Sequence, residues 1–92
     1  MSSVRAHLII TGRVQGVCYR VQTQEEAVRR RLSGWIRNLP TGQVEAVFEG
    51  DQKTIEEMVA WCHKGPAGAR VTEIQVDWQE LRHEFDDFRI IH

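Results

Sequence analysis

The hydrophobic period of this sequence changes from two to about 3.6 and back, twice along the chain. The positions that alternate onto one face of the first segment are Val4, Ala6, Leu8 and Ile10. Their alternation predicts a β-strand that has one face on a core and ends at Gly12. The next periodic positions, three or four apart, are Val21, Gln24, Ala27/Val28 and Arg31/Leu32. This spacing predicts an amphipathic helix that ends near Ser33-Gly34.

The same two patterns return in the second half of the chain. Residues 35–38 and 43–49 flank Leu39-Pro40-Thr41-Gly42 and predict a hairpin, because Pro presets a turn and Gly permits a positive φ. A second helix is predicted from Gly50-Asp51 to a stop at Gly65-Pro66, with capping-box spacing between Thr54 and Glu57. The apolar stripe of that helix is Ile55, Met58, Val59 and Cys62. Two further strands are marked by Ile74, Val76 and Trp78, and by Phe88 and Ile90.

The predicted order, β-α-β-β-α-β with a short extra C-terminal strand, is that of a ferredoxin-like sandwich in the α+β class. Right-handed crossovers place both helices on one face of an antiparallel sheet. The one-sided alternation of the strands agrees with a sheet that is covered on one face only. Because 92 residues provide one hydrophobic core and not two, we expect a single domain over residues 1–92.

Charge and hydropathy argue against two classes of partner. Twelve Lys and Arg against thirteen Asp and Glu give a net charge of -1, so the general attraction to phosphate backbones is missing and we expect no nucleic-acid partner. The apolar runs are too short to span a membrane, and the first residues carry no export signal. We therefore expect a cytoplasmic monomer, without a membrane partner, in which Cys18 and Cys62 are free thiols.

The most unusual segment is Gly12-Arg13-Val14-Gln15-Gly16-Val17-Cys18-Tyr19-Arg20, a loop between the first strand and the first helix. A loop that turns its backbone N–H groups inward binds anions, and the positive end of the following helix adds to this. Arg20 would offer the same anion a bidentate guanidinium. By spacing alone a simple turn is favoured, since such glycine loops are common. Cys18 lies two residues before Arg20, and not the six that a phosphatase thiolate loop needs, which favours a packing role for its side chain.

That loop, taken with Gly34-Trp35-Ile36-Arg37-Asn38, Gly42-Gln43-Val44-Glu45 and Gly50, resembles the signature of the acylphosphatase family in order and spacing. The resemblance covers nearly the whole chain. It implies hydrolysis of the carboxyl–phosphate bond of acyl phosphates to a carboxylate and inorganic phosphate, without a metal or a cofactor. The chain departs from the family at Tyr19, often Phe, at Thr41-Gly42, often Asp-Gly, and in lacking the Gly that ends the first helix near Arg31-Leu32.

The resemblance also assigns roles to residues. The phosphate-binding loop would consist of Gln15, Gly16, Val17, Cys18, Tyr19 and Arg20. Backbone N–H groups of this loop and the Arg20 guanidinium would hold the phosphoryl oxygens, while Asn38 would orient the attacking water. Neither motif contains an obvious general base, so a phosphate oxygen of the substrate is expected to take the proton. Arg20 and Asn38 should then lie on one side of the sheet edge, close enough to share a small anion.

A non-catalytic ferredoxin-like module that binds an anion or RNA is the alternative, because a fold alone does not specify activity. RNA-binding domains of this topology stack bases on aromatic side chains of their central strands. Here the outward positions of the second hairpin strand include Glu45 and Glu49, which would repel a phosphate backbone. The four histidines lack ligand spacing, so no metal site is expected and their roles are solvated or structural.

Overall fold

The chain forms two helices and one five-stranded sheet in the computed structural model, which describes residues 2–92. In chain order the elements are β1 (Ser3–Arg13), α1 (Tyr19–Arg29), β2 (Ser33–Asn38), β3 (Val44–Asp51), α2 (Gln52–Lys64), β4 (Arg70–Gln79) and β5 (Phe88–Ile90). The predicted ferredoxin-like α+β fold is confirmed. Among the helices of the described residues, none is long and apolar enough to cross a membrane.

The strands lie in the order β4-β1-β3-β2-β5. β1 is antiparallel to both β3 and β4, and β2 is antiparallel to β3, as predicted. β5, the short extra strand whose direction the sequence did not indicate, pairs with β2 in parallel and makes the five-stranded sheet mixed. The reason lies in the connection over residues 80–87. β4 ends at the same edge of the sheet at which β2 begins. The connection runs along that edge from β4 to the far side of β2, so β5 starts beside the start of β2 and runs in the same direction.

A buried ion pair holds this connection against the face of the sheet that carries no helix. The Arg5 guanidinium lies 3.3 Å from the Glu49 carboxylate and 2.5 Å from that of Glu84. Glu49 also accepts hydrogen bonds from the backbone N–H groups of Arg82, at 3.0 Å, and Glu84, at 3.3 Å. Glu49 is only 3% exposed. The prediction that Glu49 faces solvent was therefore wrong, because the connection covers it.

The core lies between the sheet and the two helices. The alternating side chains of β1 and β3 predicted to face inward are fully buried there, apart from the partly buried Val4: Ala6, Leu8, Ile10, Val44, Ala46 and Phe48. α2 contributes Ile55, Met58 and Cys62, as its stripe predicts, and ends at Lys64 with Gly65 as its C-cap. Its N-cap is Asp51, whose carboxylate accepts the Thr54 N–H at 3.3 Å. The predicted Thr54–Glu57 capping box was therefore placed three residues too late.

α1 faces the core with a different set of side chains from the predicted one. Tyr19, Thr23 and Ala27 are buried, whereas Val21 is 51% exposed and Val28 is 60% exposed. The Thr23 hydroxyl donates to the Tyr19 carbonyl at 2.7 Å, which satisfies a polar group inside the core. Apolar spacing alone missed this face, since two of its three residues carry hydroxyl groups.

α1 ends at Arg29, four residues before the predicted Ser33-Gly34 stop. The N–H of Leu32 donates to the Ala27 carbonyl and that of Arg31 to the Val28 carbonyl. This is the Schellman pattern, in which the residue after the C-cap adopts the left-handed conformation and is usually Gly. Arg31 occupies that position with φ 60°. The absence of a glycine therefore does not lengthen the helix, because Arg31 itself adopts the strained left-handed backbone conformation.

Candidate active site

The loop after β1 and the end of β2 meet at one edge of the sheet. β1 and β2 both run antiparallel to β3, which lies between them, so their C-terminal ends point the same way. Ile10, Val44 and Asn38 are in register across the three strands. Two strand spacings separate Asn38 from β1, about 10 Å. Cross-strand partners share a face of the sheet, so Asn38 lies on the helix-covered face with the buried side chains of Ile10 and Val44.

The loop over residues 14–18 turns tightly because two of its residues have left-handed backbones. Gly16 has φ 75° and Cys18 has φ 61°. Within residues 2–92, the N–H groups of residues 15–20 donate to no backbone or side-chain acceptor. Cys18 is the N-cap of α1 but provides no side-chain cap. Free amides at the positive end of a helix form a concavity that binds anions.

The side chain of Cys18 does not pack, contrary to the prediction from its spacing. It is exposed, and its left-handed backbone is the cause of the turn into α1. Cys62 is also a free thiol, as predicted, but it is buried within α2. Burial raises the pKa of Cys62 to about 12, despite the nearby Tyr19 hydroxyl and the charge of Arg30, which lower it. Cys62 is therefore an inert core residue.

Buried side chains anchor the loop at both ends. Val14 begins it and Tyr19, the first residue of α1, follows it, and both are buried. The Tyr19 hydroxyl donates to the Cys62 carbonyl at 2.7 Å, and burial raises the pKa of Tyr19, so the phenol stays protonated as a donor. A Cβ at Gly65 would lie 2.9 Å from the Tyr19 ring, so this glycine makes room for it. Tyr19 can therefore serve an anion only through its backbone N–H.

Arg20 lies in the first turn of α1, directly after the loop, and is partly buried. No carboxylate of the described part of the chain lies within 4.0 Å of it. In contrast, Arg29 at the end of the same helix and Arg30 at its C-cap both pair with Glu26. Arg20 thus keeps its guanidinium donors available beside the free amides of the loop.

Asn38 is the last residue of β2 and has an unpartnered carbonyl oxygen. Its Oδ1 atom is buried and accepts no hydrogen bond from any described residue. A buried acceptor of this kind costs about 1–3 kcal/mol unless water or a ligand satisfies it. The sheet register thus places an orphaned acceptor at the edge where the loop presents orphaned donors.

A comparison of the sequence with protein-family models identifies the family of this chain. The Acylphosphatase family model matches residues 6–90. The chain belongs to the acylphosphatase family. It is 47% identical over 90 residues to an acylphosphatase of Pelotomaculum thermopropionicum, covering 98% of each chain, and 50% identical over 92 residues to one of Pyrobaculum islandicum, covering 99% of this chain and 97% of the relative.

Solved structures of the family share the fold closely. The structure of acylphosphatase from Bacillus subtilis superposes with a TM-score of 0.94 at 32% identity, covering 97% of this chain and 99% of that one. The family resemblance read from the sequence is therefore confirmed. The side chain of Tyr19 is buried in the core and Arg31 lies after the end of α1, so neither side chain is part of the free donor or acceptor set described above.

Other polar clusters of the chain lie away from the loop. On the open face, Glu45 contacts His7 at 2.7 Å and Arg37 at 2.6 Å. Burial alone would raise the pKa of Glu45, but the hydrogen bonds from His7 and Arg37 lower it below its usual value. Within residues 2–92, no three His, Cys, Asp or Glu side chains group closely enough to hold a metal ion.

One contact of the loop was missed by sequence reasoning, which assigned Gln15 to the loop without a partner for its side chain. The Gln15 amide nitrogen donates to the Leu39 carbonyl at 2.8 Å and to the Gln43 carbonyl at 2.9 Å. These acceptors lie 24 and 28 residues away along the chain. Leu39 and Gln43 lie at the two ends of the turn between β2 and β3, and only the folded sheet brings them to Gln15.

Proposed function

We propose that this chain hydrolyses the carboxyl–phosphate bond of acyl phosphates to a carboxylate and inorganic phosphate, and that it needs no metal to do so. One observation carries the proposal: among the described residues, the loop presents backbone donors without internal acceptors at the edge where the buried Asn38 oxygen has no donor. Membership of the acylphosphatase family supports the substrate class. The acylphosphatase names of relatives that match nearly the full chain support it as well.

The phosphoryl group would bind in the loop. Backbone N–H groups of residues 15–20 donate to its oxygens, and the N-terminus of α1 adds its partial positive charge. Arg20 adds a charged pair of donors that compensates the negative charge on the equatorial oxygens. Because this charge grows towards the transition state, donors that are already in place lower the barrier without reorganising.

Asn38 would place the attacking water. Its Oδ1 accepts a hydrogen bond from the water and leaves an oxygen lone pair directed at phosphorus, in line with the bond that breaks. The water oxygen forms the new bond to phosphorus while the bond from phosphorus to the acyl oxygen breaks. The bonding electrons leave with the carboxylate, which is stable unprotonated at neutral pH. The proton of the water passes to a phosphate oxygen.

Hydrolysis of benzoyl phosphate in EDTA tests this proposal. The native chain is expected to turn over, and Arg20→Ala and Asn38→Ala are each expected to lose on the order of 100-fold or more in kcat. Arg20→Ala should also lose affinity for inorganic phosphate, whereas Asn38→Ala should keep it. Arg29→Ala, in the same helix, is the matched control and should retain full activity once circular dichroism shows that each variant is folded.

Two outcomes would contradict the proposal. A folded native chain that binds phosphate without turning over benzoyl phosphate would support the anion-binding module in its place. Full activity in Arg20→Ala or in Asn38→Ala would remove that residue from the mechanism. Activity that disappears in EDTA and returns with a divalent cation would contradict the metal-independent step.

We propose further that the chain acts as a cytoplasmic monomer on a small molecule and binds no nucleic acid. The exposed Cys18 thiol supports a reducing compartment. Against nucleic acid stands the partly buried Glu45 carboxylate on the open sheet face, near the start of the central strand β3, because RNA-binding domains of this topology carry stacking aromatics on their central strands. Light scattering after gel filtration and a binding titration with a short RNA would test these points.

A further inference from the structure

The side chain of Gln15 contacts the two carbonyls that close the turn between β2 and β3. Within that turn, the Leu39 N–H donates to the Gln43 carbonyl at 2.8 Å, and the Gly42 N–H donates to the Leu39 carbonyl at 3.1 Å. Gln15 donates to both of these carbonyls through a single nitrogen, at 2.8 and 2.9 Å. The loop thus binds the turn at the atoms that define its shape.

A second glutamine makes the reverse connection. The Gln43 amide nitrogen donates to the Thr11 hydroxyl of β1 at 3.0 Å, and its amide oxygen accepts from the Thr41 hydroxyl at 2.8 Å. The turn is therefore tied back to the strand that leads into the loop. We call Gln15 and Gln43, with these acceptors, the glutamine brace.

The brace spans the gap between β1 and the turn, where the backbone pairing of β1 with β3 stops. Both the β1–β3 ladder and the β2–β3 ladder end at Val44, opposite Ile10 and Asn38 respectively. Beyond that row, side-chain hydrogen bonds join the loop to the turn. The loop amides begin at Gln15 itself, and Asn38 directly precedes Leu39, so the brace connects the immediate neighbours of the two candidate catalytic groups.

We propose that Gln15 is a positioning residue that fixes the phosphate-binding amides relative to the Asn38 oxygen, and that Gln43 supports it. This inference rests on the proposed function. In-line attack requires the water held by Asn38 and the phosphorus held by the loop to be correctly placed together. A misplacement of about 1 Å costs on the order of 100-fold in rate. Phosphate binding needs the loop alone, so the brace should affect kcat and leave phosphate affinity unchanged.

The substitution Gln15→Met tests this role, because it keeps the length of the side chain and removes the donor. We expect kcat for benzoyl phosphate to fall on the order of 10- to 100-fold. The inhibition constant of inorganic phosphate should stay within about twofold, since the backbone N–H groups remain. Gln24→Met is the matched control: it removes a glutamine donor to the Phe88 carbonyl, 3.0 Å away, and should leave kcat unchanged.

A double-mutant cycle separates positioning from general loosening. Asn38→Ala removes the group that places the water. In that background, Gln15→Met should lower kcat by less than about a further threefold, because the two changes disrupt one function. Gln43→Met should show the same dependence with a smaller loss in kcat. It also keeps the test decisive if circular dichroism shows that Gln15→Met does not fold.

Each outcome has one meaning. If the kcat losses of the two single variants multiply in the double variants, the positioning role of the brace is refuted. Turnover by the native chain would still support the proposed function. An equal loss of phosphate affinity and kcat would refute it as well, because Gln15 would then shape the loop itself. Native kcat in Gln15→Met would show that the contact has no role. A native chain without turnover would refute the proposed function, and the positioning role would fall with it.

Discussion

The Arg5 guanidinium and the Glu49 carboxylate lie 3.3 Å apart on the open face of the sheet, both removed from solvent by the crossing over residues 80–87. Arg5 also lies over the Phe85 ring, 5.3 Å from its centroid. The pair is at the opposite end of β3 from the phosphate-binding loop. It therefore connects the crossing to the sheet without contributing to the candidate site.

Removal of Arg5 should destabilise the fold and spare activity. Arg5→Met would leave the Glu49 charge buried without its cation, which costs about 3 kcal/mol in the free energy of unfolding. The exposed pair of Arg89 and Asp87, 2.9 Å apart, provides the control. Arg89→Met should change the free energy of unfolding by less than about 0.5 kcal/mol. Urea unfolding measures both values. Similar values for the two variants would contradict the buried pair.

Replacing Arg31 should stabilise the protein. Arg31→Gly places glycine at the left-handed position after α1 and should raise the free energy of unfolding by about 1 kcal/mol. Arg30→Gly is the control at the neighbouring C-cap, where φ is -88° and a side-chain pair with Glu57 is lost, so it should destabilise. Thermal unfolding gives the comparison. Arg31→Gly without a gain would mean that the arginine side chain offsets the backbone strain.

Loss of the Tyr19 hydroxyl should affect stability more than catalysis. Tyr19→Phe leaves the buried Cys62 carbonyl without this donor and should cost about 1–2 kcal/mol. The Tyr19 backbone N–H remains in the loop, so kcat for benzoyl phosphate and phosphate inhibition should change less than twofold. A large loss of phosphate affinity in a folded Tyr19→Phe variant would show that the hydroxyl serves the site.

The ion pairs of Glu45 should make stability depend on pH. Its folded-state pKa is lowered, so its contribution is complete above the ordinary glutamate pKa of about 4.3 and is lost as the pH falls through the lower folded value. Glu45→Gln should therefore lose less stability between neutral and acid pH than the native chain. Glu73→Gln, at an exposed position of β4, is the control. Identical pH profiles for Glu45→Gln and the native chain would contradict this assignment.

Local pattern predicted most of the fold. Strand alternation placed Leu8 and Phe48 correctly, and helical spacing found the buried face of α2, because in these elements the buried side chains are apolar. α1 differed because the hydroxyls of Tyr19 and Thr23 are satisfied inside the core. The direction of β5 and the burial of Glu49 depend on where the 80–87 connection crosses, and no local periodicity contains that information.

The candidate site was predictable to a similar degree. The resemblance identified Arg20 and Asn38 as residues to consider, and the register of β1, β3 and β2 brings their elements to one edge. Their catalytic roles remain predictions. The side-chain contacts of Gln15 could not be read from the sequence, since a glutamine is compatible with any exposed loop until the acceptors 24 and 28 residues away are in place.

The crossing that delivers β5 also determines how this sheet meets other chains. Unpaired strand edges are templates for aggregation, and short or charged edges suppress it. Without β5, the six residues of β2 would form such a template. β5 replaces it with a three-residue edge that carries the exposed Arg89, while β4 carries Glu73 and Asp77 at the other side. The same segment that buries Glu49 thereby covers the β2 edge on which another chain could pair.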